Sequence, residues 1–161
     1  MSRTLFLIVI AELFGSSVWF STNAVAAQPS FQWHQHIGVL TNAVQYGFIV
    51  GTLSVALSGL ADRYHASRIF TLCAVIAALT NLAFAWLSPD LVWAWLWRFA
   101  TGLSLAGVYP LGMKLVVSWE PEKKGMALGW LTGMLALGTA SPHLVRALNC
   151  LLYTSDAADD D

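Results

Sequence analysis

Glu12 and Arg98 each interrupt a long apolar run, and an ionised group in that setting needs a reason to be there. At 1.5 Å of rise per residue Glu12 lies roughly 12 Å inside its run, where a carboxylate must be paired, hydrated or protonated. Helical spacing puts Glu12, Ser16, Trp19 and Asn23 on one face. A polar face inside an apolar helix implies a wet cavity or a partner helix. Glu12 is then either a proton-carrying or solute-contacting acid, or a structural acid bonded to a neighbouring helix. Arg98 sits roughly 10 Å from the nearer end of its run, too deep for its guanidinium to reach bulk water. On a continuous helix Arg98, Thr101, Gly102, Leu105, Tyr109 and Gly112 share a face, so an arginine and a tyrosine look into one space. A planar, permanently charged fork suits carboxylate or phosphate, which points to a small organic anion; the structural use would be an ion pair with Glu12. Asn42, Gln45 and Tyr46 form a third polar group, lining a solute path or hydrogen-bonding between helices.

Other residues carry less. Lys114 falls on a different face from Arg98 and near a helix end, where it snorkels or neutralises an acidic neighbour. His34 and His36 have a spacing that two metal ligands could use, but no Cys or acidic residue lies nearby to complete a site. The two cysteines, Cys73 and Cys150, have no CxxC spacing and form no disulfide framework. Phosphate-binding glycine loops, zinc-protease His-Glu pairs and nucleophile-elbow serines are missing, so the sequence provides no anchor for enzymatic chemistry and calls for no cofactor or nucleic-acid partner.

The elements that position these residues follow from composition. Of 161 residues 57% are hydrophobic and only 11% charged, with 8 tryptophans, which excludes an ordinary soluble domain and requires a lipid bilayer. Five apolar stretches, residues 4–25, 37–61, 68–87, 91–119 and 126–148, each reach the roughly 20 residues that cross the hydrocarbon as a helix. The expected fold class is therefore an all-α membrane protein of five transmembrane helices. Pro110 predicts a kink in the fourth span. Gly47 and Gly51 in the second span, and Gly125, Gly129 and Gly133 in the fifth, have the spacing that lets helix backbones approach. The third span, with few polar breaks, suits a lipid-facing outer helix. Arg3, Arg63, Arg68, Lys123 and Lys124 fall on one side, whereas residues 26–36 and 88–90 contain no Lys or Arg, which makes the N-terminus cytoplasmic.

Between the second and third spans lies Ser58-Gly59-Leu60-Ala61-Asp62-Arg63-Tyr64-His65-Ala66-Ser67-Arg68. It resembles the signature loop of major facilitator superfamily transporters, G-x-L-a-D-R-x-G-R-[KR], through Leu60, Ala61, Asp62 and Arg63. Ser58 and His65 occupy the family's glycine positions, and Arg68 stands one place late for the basic pair. Residues 98–106 resemble the family's fourth-helix motif, with Arg98, Gly102 and Ala106 matching. The resemblance implies twelve helices in two halves, each half a pair of inverted three-helix units. The chain would then be the N-terminal half of a bacterial inner-membrane secondary transporter, cut after its fifth helix, working by alternating access against a missing C-terminal half. In that reading Asp62, Arg63 and Arg68 form a gating loop at the moving interface. A non-transporting assembly or sensor subunit is the alternative. Drug/proton efflux is a further one, although Gly133, Gly138 and Pro142 do not reproduce the family's antiporter signature.

Residues 1–149 form the expected partial bundle. From Cys150 to Asp161 the chain turns acidic, carrying four of the nine acidic residues and none of the eight basic ones. That segment reads as the translation of a transposase adapter used in sequencing libraries, and is expected to be non-native.

Overall fold

The computed structural model describes residues 3–22, 32–59 and 63–158, and the regular structure among them is entirely helical. In chain order it comprises α1 (Arg3–Trp19), a single 3-10 turn (His34–His36), α2 (Ile37–Ser58), α3 (Ala66–Trp86), α4 (Leu91–Leu105), α5 (Tyr109–Trp119) and α6 (Lys124–Ala158). Each of the five expected spans holds a helix over its described residues, the fourth in two pieces. Among the described residues, α2, α3 and the α4–α5 unit (Leu91–Trp119) are long and apolar enough to cross a membrane. Asn23 and Asp62 lie outside the described residues.

Local chemistry sets the helix ends. Gly59 takes φ 61°, the left-handed conformation in which a glycine closes a helix, and so ends α2 at the charged loop. At the start of α4, Asp90 Oδ1 accepts from the Trp93 backbone N–H at 2.9 Å, satisfying one of the free donors of the first turn. The kink expected from Pro110 is a full break. Gly107 N donates to Ser104 O at 3.0 Å and Val108 N to Leu105 O at 2.9 Å, a tight three-residue turn that precedes the proline by one turn. Pro110 has no N–H for the Ala106 carbonyl, and its ring clashes with that carbonyl in a straight helix. Regular bonding resumes with Gly112 N to Val108 O at 2.8 Å.

Glycine controls the closest packing. A Cβ on Gly47 would collide with the backbone oxygen of Phe99, and one on Gly102 with that of Val44, so α2 and α4 touch backbone to backbone. The glycine spacing of the fifth span does not act in this way. Nothing lies within 4 Å of a Cβ built on Gly125, Gly129 or Gly133, because α6 meets α1 through a different glycine, Gly138, which sits on Ser16. Beside it Ser17 and Ser141 share a hydrogen bond at 3.1 Å.

One apolar cluster joins Leu5 and Val9 of α1 to Val116 of α5 and Leu131 of α6, and another joins Phe70 of α3 to Leu105, Val108 and Leu111. The outer surface is apolar as well. Leu57 is 87% exposed, and Phe14, Leu72, Trp86 and Val92 are also exposed. Each such side chain forgoes about 1.5–3 kcal/mol of burial in water, a loss that disappears when the surrounding medium is hydrocarbon. On α3 the buried positions are Phe70, Ala77 and Phe84, leaving most of the helix to lipid, as expected for an outer helix.

Candidate functional site

A cavity of ≈ 390 Å³ opens between α1, α2, α5 and α6. Its charged group among the described residues is Glu12, 1% exposed, whose Oε2 has no hydrogen-bond partner among them. Space for that oxygen comes from Gly112 on α5, where a Cβ would stand 2.9 Å from Oε2. Ser16, one turn along α1, donates to the Glu12 backbone carbonyl at 2.8 Å, and Tyr109 of α5 lines the same cavity as Glu12. Three rings stand together on the wall. Trp19 lies 4.9 Å from Phe48 and 6.0 Å from Tyr109, and Phe48 lies 5.8 Å from Tyr109, all edge to face. The indole Nε1 of Trp19 is buried without a partner. Gln45 on α2 and Thr132 and Thr139 on α6 add polar atoms to walls that are otherwise apolar.

Arg98 is elsewhere. Fully buried, its guanidinium donates to the backbone oxygens of Val18 and Trp19, to Ser21 Oγ at 3.1 Å and to Asn81 Oδ1 at 2.9 Å. Phe84 lies beneath it at 5.5 Å, a cation–π contact, and Ser21 also donates to Asn81 at 2.9 Å. This cation closes the carbonyl end of α1, where a helix carries unsatisfied acceptors and partial negative charge. Neither the expected shared space with Tyr109 nor the alternative ion pair with Glu12 is what Arg98 makes. Arg98 and Tyr109 stand roughly 16 Å apart along the helix axis, with the turn at residues 106–108 between them, so a shared face does not bring them into one space.

The structure thus places Glu12, Trp19, Gln45 and Tyr109 on one cavity wall, with Ser16 beside Glu12, and leaves Arg98, Asn42, Tyr46 and Thr101 outside the lining. Asn42 and Tyr46 are exposed on α2. Thr101 turns to α3, where its hydroxyl meets that of Thr80 at 3.0 Å. Arg63 and Arg68 are exposed at the α2–α3 connection, with Arg63 N bonded to Gly59 O at 3.2 Å.

The sequence profile of the Major Facilitator Superfamily matches residues 4–141. The chain belongs to this superfamily. The matched region takes in the charged loop between α2 and α3 and Arg98 on α4. The niacin transporter NiaP of Acinetobacter baylyi is 32% identical over 111 residues, covering 62% of this chain and 25% of that protein. The chain therefore spans about a quarter of the length of this curated relative. No solved structure matches it.

Several residues of the site escaped the sequence reading. Phe48 is one apolar residue among many on α2, with nothing in its spacing to mark it. Gly112 makes room for a carboxylate on another helix, which only the packing reveals. Asn81 did carry a signal, as an amide in an otherwise apolar span, and it turns out to hold Arg98.

Proposed function

We propose that the chain is part of a secondary active transporter that moves a small solute across a bacterial inner membrane by alternating access, with its N-terminus cytoplasmic. The observation that carries this reading is a buried carboxylate with an unbonded oxygen facing a cavity of ligand size. Superfamily membership and similarity to a protein named as a niacin transporter support solute movement as the activity. Glu12 is the proton-coupling group in this proposal. Its carboxyl exchanges a proton or a solute contact as water gains access from alternate sides, and it does so beside the phenol of Tyr109. Ser16, Trp19 and Gln45 complete the pathway on the cavity side. Arg98, with Thr101 behind it, holds α1 in place. Asp62, Arg63 and Arg68 serve as the gating loop against a C-terminal half. Among the described lining residues there is no Lys or Arg, and Arg98, on which the expectation of an anionic cargo rests, is not one of them.

Flux in reconstituted proteoliposomes tests the proposal. Niacin and benzyltrimethylammonium serve as probe solutes under an imposed proton gradient. Uptake of either above protein-free liposomes supports transport, and Glu12→Gln is expected to remove at least about tenfold of its gradient dependence. Protein that binds a probe but never moves it would instead be a non-transporting sensor or assembly subunit.

A further inference from the structure

The composition of the cavity wall goes further and names a cargo class, on the assumption that the cavity is the solute site proposed above. We propose that it is a subsite for a small, flat organic cation, a protonated or quaternary nitrogen on a one- or two-ring body. Glu12 would hold the charge, and Trp19, Phe48 and Tyr109 would hold the body.

The charge argument is direct. Glu12 is the charged side chain of this wall, and the nearest deep cation, Arg98, already bonds α1 carbonyls, Ser21 and Asn81. Its place is fixed roughly 10 Å along α1 from Glu12, the rise between residues 12 and 19. Among the described lining residues a ligand anion entering here meets a carboxylate and no compensating cation. A ligand cation supplies the partner that Glu12 Oε2 lacks.

The rings reinforce the same sign. Three aromatic centroids lie within 4.9–6.0 Å of one another on the wall. Aromatic faces carry negative quadrupole potential, which attracts a nitrogen cation most strongly where water is excluded, and indole is the best of the three ring types. Trp19 also offers a buried N–H without an acceptor. A cargo that combines a cationic nitrogen with one acceptor oxygen would satisfy both unpaired atoms at once. At ≈ 390 Å³ the space is at the small end for ligand sites, which limits the body to one or two rings.

The test is calorimetric titration of the purified chain in lipid nanodiscs with three probes that share a phenyl ring: benzyltrimethylammonium, benzyl alcohol and phenylacetate. The cation is expected to bind at least about tenfold more tightly than the other two. Glu12→Gln should lower its affinity about tenfold or more while leaving benzyl alcohol unchanged. Phe48→Leu should weaken it about fivefold, with Phe48→Trp restoring the loss, so the conclusion stands on a variant that keeps the carboxylate. Equal or tighter binding of phenylacetate or benzyl alcohol, no binding of any probe, or undiminished cation affinity in folded Glu12→Gln would overturn the proposal. The two readings fail separately. Gradient-driven flux of an anion would preserve transport and sink the cation site, whereas cation binding without flux would do the reverse.

Discussion

Two buried charges flank α1, and they are stabilised by different means. Arg98 is held by protein through its two terminal nitrogens, which bond two backbone carbonyls, a hydroxyl and an amide oxygen over an aromatic face, while its Nε has no partner among the described residues. Glu12 keeps an oxygen unbonded beside a cavity. The first pattern is that of a structural residue and the second that of a working one. Truncating Arg98 leaves buried acceptors unpaired, so Arg98→Ala should destabilise the chain by about 2–4 kcal/mol in denaturant titrations in detergent micelles. Asn81→Ala, which removes one of the acceptors, should cost about 1 kcal/mol and leave probe binding by the folded fraction unchanged. A large loss of binding in Asn81→Ala would instead tie the arginine cluster to the cavity. Sequence alone marked both charges, because each is an ionisable residue in an apolar run. Their partners were not legible, since Arg98 reaches backbone groups on another helix and backbone carbonyls have no sequence signature.

At the scale of elements, the α4–α5 break and the glycine contacts decide which side chains meet. Projection onto an unbroken helix placed Arg98 and Tyr109 on one face. Arg98 meets the end of α1 while Tyr109, roughly 16 Å of helix rise further on and beyond the turn at residues 106–108, stands with Phe48 on the cavity wall. Pro110 announced a distortion, but a proline in a sequence does not state the direction in which the axis is re-aimed. Glycine spacing was similarly half legible. It found the α2–α4 contact at Gly47 and Gly51, and it also marked Gly125, Gly129 and Gly133, which pack against nothing within 4 Å. The two sets should behave oppositely on substitution. Gly47→Ala pushes a methyl into the Phe99 carbonyl and should destabilise by about 1–3 kcal/mol. Gly129→Ala meets open space and should be neutral, or stabilising by up to about 1 kcal/mol through helix propensity. Unfolding of both variants in the same micelles provides the comparison. Equal destabilisation would mean that the Gly129 face is also packed against something.

For the whole molecule, the helix ends and the charges specify one orientation. Leu5 near the start of α1 packs with Val116 near the end of α5 and Ala127 near the start of α6, which gathers Arg3, Lys123 and Lys124 at one end of the bundle. Leu40, Phe84 and Ala94 form the cluster at the opposite end, beside connections without Lys or Arg. Basic residues resist translocation, which supports the proposal that the first end faces the cytoplasm. α3 makes the consequence measurable, because its 21 residues rise about 31 Å, the thickness of the hydrocarbon layer. Ser67 and Pro89, at either end of it, must therefore lie on opposite faces of the membrane. In a background of Cys73→Ala and Cys150→Ala, Pro89→Cys should react with a membrane-impermeant maleimide in intact cells. Ser67→Cys should react only after the membrane is opened. The reverse pattern would invert the topology and place the Asp62 loop outside, away from any cytoplasmic gate. Labelling of both sites in intact cells would mean that α3 does not span, which would remove the physical basis for reading the Glu12 cavity as a path between two compartments.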